Sequence, residues 1–315
     1  MFKKMLLPIG LLLVILISAL APTPGIWMKE HYMIEIFTAF MFLTNGWVFK
    51  IKSLNIGRSF FLMLFAALFF LVIAGPLLGV VGVYVFGFTS LYGIGFIAMS
   101  SAPPTLSSCA VITEVAGGNA AASLFLTVLL NLTSIFSLPI VIPLAIGSTG
   151  EVSISGTRLL FKLLLIVLFP FCVGVFLKKR FKRDYSWVSY VPIICVLFTV
   201  SAAFSASRDL LFKIFRQLPI LVLAAAAIHL TLMLFAWITA RCLRFDKGNT
   251  TAFSFTVSQK TMPIAIGVLS TLQGHIAEAF AVCLIFHMTQ LFVDSMIAAA
   301  LPLERFRLIG KSQEA

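Results

Sequence analysis

The chain has 315 residues, of which 61% are hydrophobic and only 11% are charged. About a quarter of the residues in a soluble domain are charged, so this composition excludes a water-soluble globular protein. The net charge of +12 does not indicate a nucleic-acid partner, because the basic residues flank apolar runs and serve there as topology signals. The cysteines are scattered without metal-ligand spacing, so we expect no metal and no cofactor.

The apolar runs have the length of membrane-spanning helices, which need roughly 20 apolar residues each. The first run follows Lys3 and Lys4 and resembles a secretory signal, but Pro22 disfavours cleavage there, so we expect a retained helix. The pattern predicts an all-α, polytopic membrane protein with ten transmembrane helices, at about 5–21, 31–48, 59–79, 90–116, 119–145, 158–177, 187–206, 218–240, 249–272 and 277–303.

The basic residues predict the orientation of these helices. If Lys3 and Lys4 lie in the cytoplasm, most of the other basic residues fall on the same side, including those of 178–183 and both Arg241 and Arg244. Cytoplasmic loops carry an excess of Lys and Arg. We therefore expect a multi-pass protein of the cell (inner) membrane with both termini in the cytoplasm.

The ten runs divide into two units of five with a similar rhythm, at 1–145 and 158–303. Because five is odd, two copies of one fold in tandem enter the membrane from opposite sides. This predicts two inverted five-helix repeats, an architecture of many secondary transporters.

The fourth run of each unit is interrupted by polar residues and proline. The segments are Met99-Ser-Ser-Ala-Pro-Pro-Thr-Leu-Ser-Ser108 and Thr256-Val-Ser-Gln-Lys-Thr-Met-Pro263. Proline lacks an N–H donor and keeps the preceding residue out of the α region. Non-helical backbone at membrane depth lies buried in protein or lines a wet cavity. Helices 4 and 9 are therefore predicted to be discontinuous around a substrate site, and two unrelated kinks are the alternative.

Four segments resemble the bile acid:sodium symporter superfamily, in the branch of its seventh human member and many bacterial proteins. They are Pro103-Pro-Thr-Leu-Ser-Ser-Cys-Ala-Val-Ile-Thr-Glu-Val-Ala-Gly-Gly-Asn119, Phe42-Leu-Thr-Asn-Gly-Trp-Val-Phe-Lys50, Ser258-Gln-Lys-Thr261 and Phe286-His287. The resemblance covers nearly the whole chain. It implies that helices 4 and 9 cross, that helices 1, 2, 6 and 7 form a panel, and that helices 3–5 and 8–10 form a core.

The sodium sites of that superfamily match this chain poorly. The resemblance places two hydroxyls of the fifth helix at Ser123 and Thr127. Where those symporters have a Ser-Asn pair after the break of the fourth helix, this chain has Cys109 and Ala110. Their ninth-helix glutamate corresponds to Thr256, and the glutamine beside their second ion corresponds to Lys260. Sodium, like other hard cations, prefers oxygen ligands that include a carboxylate, and an ammonium group repels it. We expect the sodium sites to be dismantled.

Lys260 is the most informative residue of the sequence. A charge at mid-membrane costs about 2.5–3.5 kcal/mol on insertion scales and indicates function. Our hypothesis is that the Lys260 ammonium replaces a bound sodium ion and bridges the two interrupted helices. Transport is then sodium-independent, or proton-coupled if the desolvated ammonium releases its proton. The alternative is a permanent tether between the helices.

Helix ten carries three further polar residues on one face, since His287, Gln290 and Asp294 follow a helical spacing. We expect Asp294 to contribute to coupling by pairing with Lys260 or His287, because buried charges are normally paired. Alternatively, Asp294 lies near the cytoplasmic interface and pairs with Arg305 or with water. His287 is either a helix–helix hydrogen bonder or a proton carrier.

These features predict a secondary active transporter of a small or amphipathic organic anion, moved by alternating access. Half-helix N-termini and Lys260 attract anions. Expected partners are the substrate, the lipid bilayer and, as a candidate, protons, while sodium is doubtful and the oligomeric state is open. The substrate-binding candidates are Asn45, Thr105, Ser107, Ser108, Ser258, Gln259, Lys260, Thr261 and His287, and the ion-site or coupling candidates are Lys260, Ser123, Thr127, Cys109, Thr256 and Asp294.

Three other functions fit parts of this pattern. A cation/proton antiporter needs carboxylates at the crossing, and an arsenite-type efflux permease would use Cys109 beside the first interruption. A non-transporting membrane regulator or scaffold would use Lys260 and the prolines only to fix the fold. An enzyme is not expected, because HExxH, CxxC, GxSxG and P-loop spacings do not occur.

Overall fold

The computed structural model describes residues 2–48, 57–88, 90–105, 108–147, 155–181, 185–272 and 277–301, and within these ranges it contains helices and no strands. The α-helices are α1 (Phe2–Leu20), α2 (Thr23–Glu30), α3 (Met33–Val48), α4 (Arg58–Phe69), α5 (Gly75–Phe86), α6 (Ser90–Ser101), α7 (Cys109–Val115), α8 (Ala120–Gly147), α9 (Gly156–Leu163), α10 (Phe169–Phe181), α11 (Val191–Lys213), α12 (Leu218–Cys242), α13 (Lys247–Ser258), α14 (Met262–Leu269) and α15 (Ala277–Ala300).

Among the described residues, 6 helices are long and apolar enough to cross a membrane, and a seventh span is counted if the bent pair Ile9–Leu20 and Thr23–Glu30 forms one. The two helices of that pair meet at 98°. Met33–Val48 and Leu91–Ser101 are shorter apolar helices. The prediction of an all-helical, polytopic membrane protein is confirmed, whereas ten spans in two inverted repeats stay a prediction. The six spans are Arg58–Phe86, Ala120–Gly147, Gly156–Phe181, Val191–Lys213, Phe215–Cys242 and Ala277–Ala300.

Both predicted interruptions are observed. α6 ends at Ser101 and α7 begins at Cys109, with Pro103 and Pro104 in the non-helical backbone between them. α13 ends at Ser258, and Gln259 to Thr261 are extended before α14 begins. Pro263 lies in the first turn of α14, where its missing N–H would have had no helical acceptor.

Two spans contain a short π-helical segment, at Phe70–Ala74 between α4 and α5 and at Leu164–Leu168 between α9 and α10. Each segment is followed two residues later by a proline, Pro76 or Pro170. A proline inside a helix removes one backbone hydrogen bond and clashes with the carbonyl four residues earlier. The wider turn accommodates the proline while the span continues.

The packing brings α6, α12, α13 and α15 around the two interruptions. α6 packs on α5 and α15, and α12 packs on α13 and α15. A second group of helices is formed by α1, α3, α10 and α11, in which α3 packs on α10 and α11, and α1 packs on α11. Small residues allow the closest approach: a Cβ atom added to Gly46 would overlap the Phe171 carbonyl, and one added to Gly174 would overlap the Leu43 carbonyl.

Candidate functional site

The two non-helical segments contact each other directly. The Thr261 N–H donates to the Pro103 carbonyl oxygen at 2.8 Å. The Thr105 hydroxyl donates to the Lys260 carbonyl oxygen at 3.1 Å. Because both ends of a broken helix leave backbone groups without helical partners, these bonds satisfy polar groups that would otherwise be exposed to an apolar interior.

Lys260 lies in the second interruption with only 1% of its surface exposed. Its backbone is held by one side chain of α15: the Gln290 Oε1 accepts from the Lys260 N–H at 2.9 Å, and the Gln290 Nε2 donates to the Lys260 carbonyl at 2.6 Å. These two bonds replace the helical hydrogen bonds that residue 260 lacks. The position of Lys260 is therefore fixed by its backbone, independently of its charge.

The Lys260 ammonium lies beside Gly75, the first residue of α5. A Cβ atom at Gly75 would lie 3.2 Å from the Lys260 Nζ and 3.0 Å from the carbonyl oxygen of Phe70, which begins the π-helical segment. The nearest atom to that Cβ would be the Ser100 carbonyl oxygen of α6 at 2.5 Å, so the absence of a side chain at Gly75 allows the close approach of α6 as well as that of the ammonium. The amine thus reaches from the second interruption to the third apolar run predicted from the sequence.

Gln259 connects the first interruption to α15. Its Oε1 accepts from the Ser108 hydroxyl at 2.7 Å and from the Cys109 thiol at 3.0 Å. Its Nε2 donates to Asp294 Oδ2 at 2.7 Å. All four side chains are buried, so a single amide joins the two broken helices to the carboxylate.

Asp294 is fully buried at 0% exposure, and its partners differ from those expected. Its Oδ1 lies 2.7 Å from His229 Nε2, and the other ring nitrogen of His229 lies 3.2 Å from the Ser258 carbonyl oxygen. The expectation that Asp294 pairs with Lys260 or His287 is wrong, because its two oxygens are taken by His229 and Gln259. Its burial also contradicts a pairing with bulk water, and the other alternative partner, Arg305, lies outside the described residues.

His287 lies next to the residue that holds Lys260. Its Nδ1 accepts from the Gln290 Nε2 at 3.0 Å, and the side chain is buried. Its Nε2 has no hydrogen-bond partner among the residues that the structure describes. This ring nitrogen is therefore a buried polar group without a partner in the described part of the chain.

Of the two fifth-helix hydroxyls that the resemblance assigns to ion sites, that of Ser123 contacts a protein group, whereas that of Thr127 is buried without a hydrogen-bond partner among the described residues. Ser123 Oγ and Thr256 Oγ1 are 2.8 Å apart and join α8 to α13. The Thr127 carbonyl accepts from Asn131 Nδ2 at 2.7 Å, and the same amide donates to the Pro104 carbonyl at 2.9 Å. α8 therefore supports the first interruption.

Two predicted substrate residues use their side chains within their own helices. Ser258 Oγ donates to the Ser254 carbonyl at 2.8 Å, and Asn45 Nδ2 donates to the Met41 carbonyl at 2.6 Å. The structure thus brings the residues of the two interruptions together, whereas Asn45 has no hydrogen bond to either interruption among the described residues. Ser107 lies outside the described residues.

Sequence reasoning did not identify three residues that contribute to the site. His229 is an ionisable residue inside the run at 218–240, and the criterion applied to Lys260 would have found it. Asn131 is a similar polar residue inside the run at 119–145. Gly75 gives no sequence signal, because its role depends on a contact with a residue far along the chain. Among the described residues, no group of three or more His, Cys, Asp or Glu side chains could hold a metal ion.

Comparison with known proteins agrees with this architecture. The family model described as the SBF-like CPA transporter family matches residues 6–302. The chain is 31% identical over 216 residues to "Probable sodium/metabolite cotransporter BASS4, chloroplastic" of Arabidopsis thaliana, a match that covers 62% of this chain and 49% of that protein. The chain therefore spans about half the length of that relative.

Other relatives match over most of their length. The chain is 23% identical over 310 residues to sodium/bile acid cotransporter 7-A of Xenopus laevis, covering 92% of this chain and 89% of that protein. It is 23% identical over 309 residues to sodium/bile acid cotransporter 7 of Danio rerio, covering 92% and 91%. The resemblance to bile acid:sodium symporters and the expectation of a transporter rather than an enzyme are confirmed, and the chain belongs to the SBF-like CPA transporter family.

Proposed function

We propose that this protein is a secondary active transporter that carries an organic anion by alternating access without sodium. The observation that carries the proposal is the burial of Lys260 in the second interruption, where its carbonyl bonds to Thr105 of the first. A positive charge at this position serves as the cation that a sodium-coupled transporter recruits from solution. An anion brought beside it is stabilised in a low dielectric.

The groups around Lys260 favour an anionic substrate. α14 begins at Met262, directly after the extended segment, and its N-terminus presents backbone N–H groups with a partial positive charge. The His287 Nε2 adds a buried polar atom without a partner among the described residues. The names of the relatives refer to bile acids and metabolites, and amphipathic or small carboxylates fit this positive environment.

We further propose the ten-helix arrangement of two inverted repeats, 1–145 and 158–303. Each half contains an interrupted fourth helix, formed by α6 and α7 in the first half and by α13 and α14 in the second. This similarity supports the arrangement. The contacts of α3 with α10 and α11 support a panel of helices 1, 2, 6 and 7. Those among α5, α6, α12, α13 and α15 support a core of helices 3–5 and 8–10, against which the panel would rock.

A cation/proton antiporter is the second candidate, and the observation in its favour is the buried carboxylate of Asp294, which reaches the interruptions through Gln259. The proximity of a fixed ammonium disfavours a cationic substrate. Anion uptake decides between the two functions, because an antiporter would move cations against protons and leave organic anions outside.

The test is uptake of radiolabelled taurocholate and pyruvate by the purified full-length protein in proteoliposomes with choline as the only added cation. We expect uptake of at least one anion. We expect Lys260→Met to abolish it and Lys247→Ala to retain it, since Lys247 is an exposed lysine at the start of α13. Unfolding temperatures of both variants control for folding. A Lys260→Met protein that folds and transports normally would refute the role of the ammonium.

A further inference from the structure

A buried ionisable pair contacts the segment that carries Lys260 and has no role in the function proposed so far. His229 on α12 and Asp294 on α15 are each 0% exposed. The imidazole stands between two oxygen atoms, with Nδ1 3.2 Å from the Ser258 carbonyl and Nε2 2.7 Å from Asp294 Oδ1. Intramembrane ionisable residues of this kind commonly form proton relays in transporters.

The hydrogen bonds fix how many protons the pair holds. A carbonyl oxygen only accepts, so the contact with Ser258 requires a hydrogen on His229 Nδ1. The contact between His229 Nε2 and Asp294 requires a second hydrogen, carried by the ring or by the carboxyl group. Either way the pair holds one proton more than a neutral imidazole and a carboxylate, and its net charge is zero.

Loss of that proton would be unfavourable in the arrangement described. One ring nitrogen would then direct its lone pair at an oxygen atom, and Asp294 would keep a negative charge in a buried position. A buried polar group without its hydrogen bond and a buried charge without its partner both destabilise the folded state. The deprotonated pair therefore favours a different arrangement of α12, α13 and α15.

We propose that His229 and Asp294 together form a proton-binding site whose occupancy is coupled to anion binding through Gln259. The proposal rests on the proposed function, and the ligand of the new site is a proton. On uptake, one proton moves from water on one side of the membrane to the pair. On release, it moves from the pair to water on the other side, and no other bond is formed or broken.

Gln259 provides the connection between the two sites. It immediately precedes Lys260, its Nε2 donates to Asp294, and its Oε1 accepts from Ser108 and Cys109 of the first interruption. A change in the charge of Asp294 therefore acts directly on the segment that carries Lys260. Cotransport of one proton with one monovalent anion would be electroneutral.

The neighbouring elements contribute few ionisable groups to this environment. Cys109 on α7 reaches Asp294 through Gln259, and Lys260 directs its ammonium to Gly75. His287 on α15 contacts Gln290. α14 carries no ionisable side chain, and Lys247 on α13 is exposed. On the other elements packed against α15, Tyr92 of α6 lies near Glu278, Arg208 and Asp209 of α11 pair with each other, and Lys213 of α11 is exposed. Within the described part of the chain, the partner available to His229 for charge compensation is thus Asp294.

The first test is nitrogen-15 NMR of the protein with isotope-labelled histidine. The sequence contains four histidines. His229→Gln assigns the His229 signal. We expect a ring engaged in two hydrogen bonds at neutral pH, with both nitrogens shifted away from the values of a free neutral ring, and we expect Asp294→Asn to remove this pattern. A His229 signal identical to that of an exposed neutral histidine in the wild type would overturn the proposal, even if Asp294→Asn fails to fold.

The second test measures proton movement in proteoliposomes that contain the pH indicator pyranine, with taurocholate or pyruvate added outside. We expect internal acidification during anion uptake, unaffected by clamping the membrane potential. Asp294→Asn should lower it by about tenfold or more. The control is Asp209→Asn, which alters an 85% exposed side chain paired with Arg208.

Anion uptake without acidification in the wild type, or with equal acidification in Asp294→Asn, would overturn the coupling. The NMR test requires no substrate, so it decides whether the pair holds the extra proton independently of transport. If the NMR pattern is present and neither anion is carried, the result contradicts the proposed function and supports the proton site.

Discussion

Lys260 is held in place by neutral groups. Gln290 bonds to both backbone polar atoms of Lys260, and Thr105 adds a second donor to its carbonyl. Among the described residues the structure contains no ion pair of Lys260. An ammonium without a carboxylate partner keeps its charge available to a ligand, whereas a lysine that acts only as a tether would normally be paired.

The contacts of Gln290 give a prediction about stability. In Gln290→Leu the Lys260 N–H loses its acceptor, while the Lys260 carbonyl retains the bond from Thr105. A buried donor without a partner costs about 1–3 kcal/mol. We expect the free energy of unfolding in detergent to fall by about this amount, together with transport activity.

The matched control for this change is Thr289→Val on the same helix. Among the described residues, the Thr289 hydroxyl bonds to the Ile285 carbonyl one turn earlier and to no group of the interruption, so its removal leaves the interruption intact. Equal effects of the two substitutions on unfolding would show that Gln290 has no special role in holding Lys260.

Sequence reasoning identified Lys260 because an ionisable residue between two half-helices is visible in one segment. It assigned Asp294 the wrong partner because the choice among Lys260, His287 and His229 depends on how α12 packs against α15. That packing brings together residues 65 positions apart. Helical spacing defines the face of one helix, but it does not define the neighbour opposite that face.

The interrupted helices illustrate which properties of an element are readable from sequence. Adjacent prolines at 103 and 104 stop a helix by local chemistry alone, and the observed break begins after Ser101. The π-helical segments at Phe70–Ala74 and Leu164–Leu168 were not predicted. An apolar span that continues through a proline has the same hydropathy with or without a wider turn.

The contact between α3 and α10 gives a prediction at this scale. A Cβ atom at Gly174 would overlap the Leu43 carbonyl oxygen and lie 2.9 Å from Trp47 N. Because these are backbone atoms, the helices must separate. We expect Gly174→Ala to lower the free energy of unfolding by about 1–3 kcal/mol, the usual cost of overpacking.

Gly147→Ala is the control, since a Cβ atom at this glycine meets no atom within 4 Å. Its unfolding temperature in detergent should equal that of the wild type. A Gly174→Ala protein as stable as Gly147→Ala would show that α3 and α10 do not need this close approach.

At the scale of the whole molecule, composition was sufficient to predict a polytopic helical protein. The helix predicted at 5–21 corresponds to α1 (Phe2–Leu20), whereas α2 (Thr23–Glu30), which is bent by 98° from it, lies between the predicted helices. Which helices pack together was implied only by the resemblance, because apolar surfaces on all sides of a membrane helix carry little information about its neighbours.

The predicted orientation can be tested on one span. Arg158 and Lys179 are exposed residues near opposite ends of Gly156–Phe181. In a background without the exposed Cys172 and Cys242, we expect a membrane-impermeant maleimide to label Arg158→Cys in intact cells. Lys179→Cys should react only after permeabilisation, because the positive-inside rule places it in the cytoplasm. The opposite pattern would reverse the proposed topology.

The replacement of a sodium ion by the Lys260 ammonium is tested most directly by the initial rate of anion uptake in proteoliposomes at fixed pH, measured with sodium and with choline. The account predicts equal rates in the two salts for the wild-type protein, because the positive charge is supplied by the chain itself. Uptake that requires sodium at constant pH would contradict it.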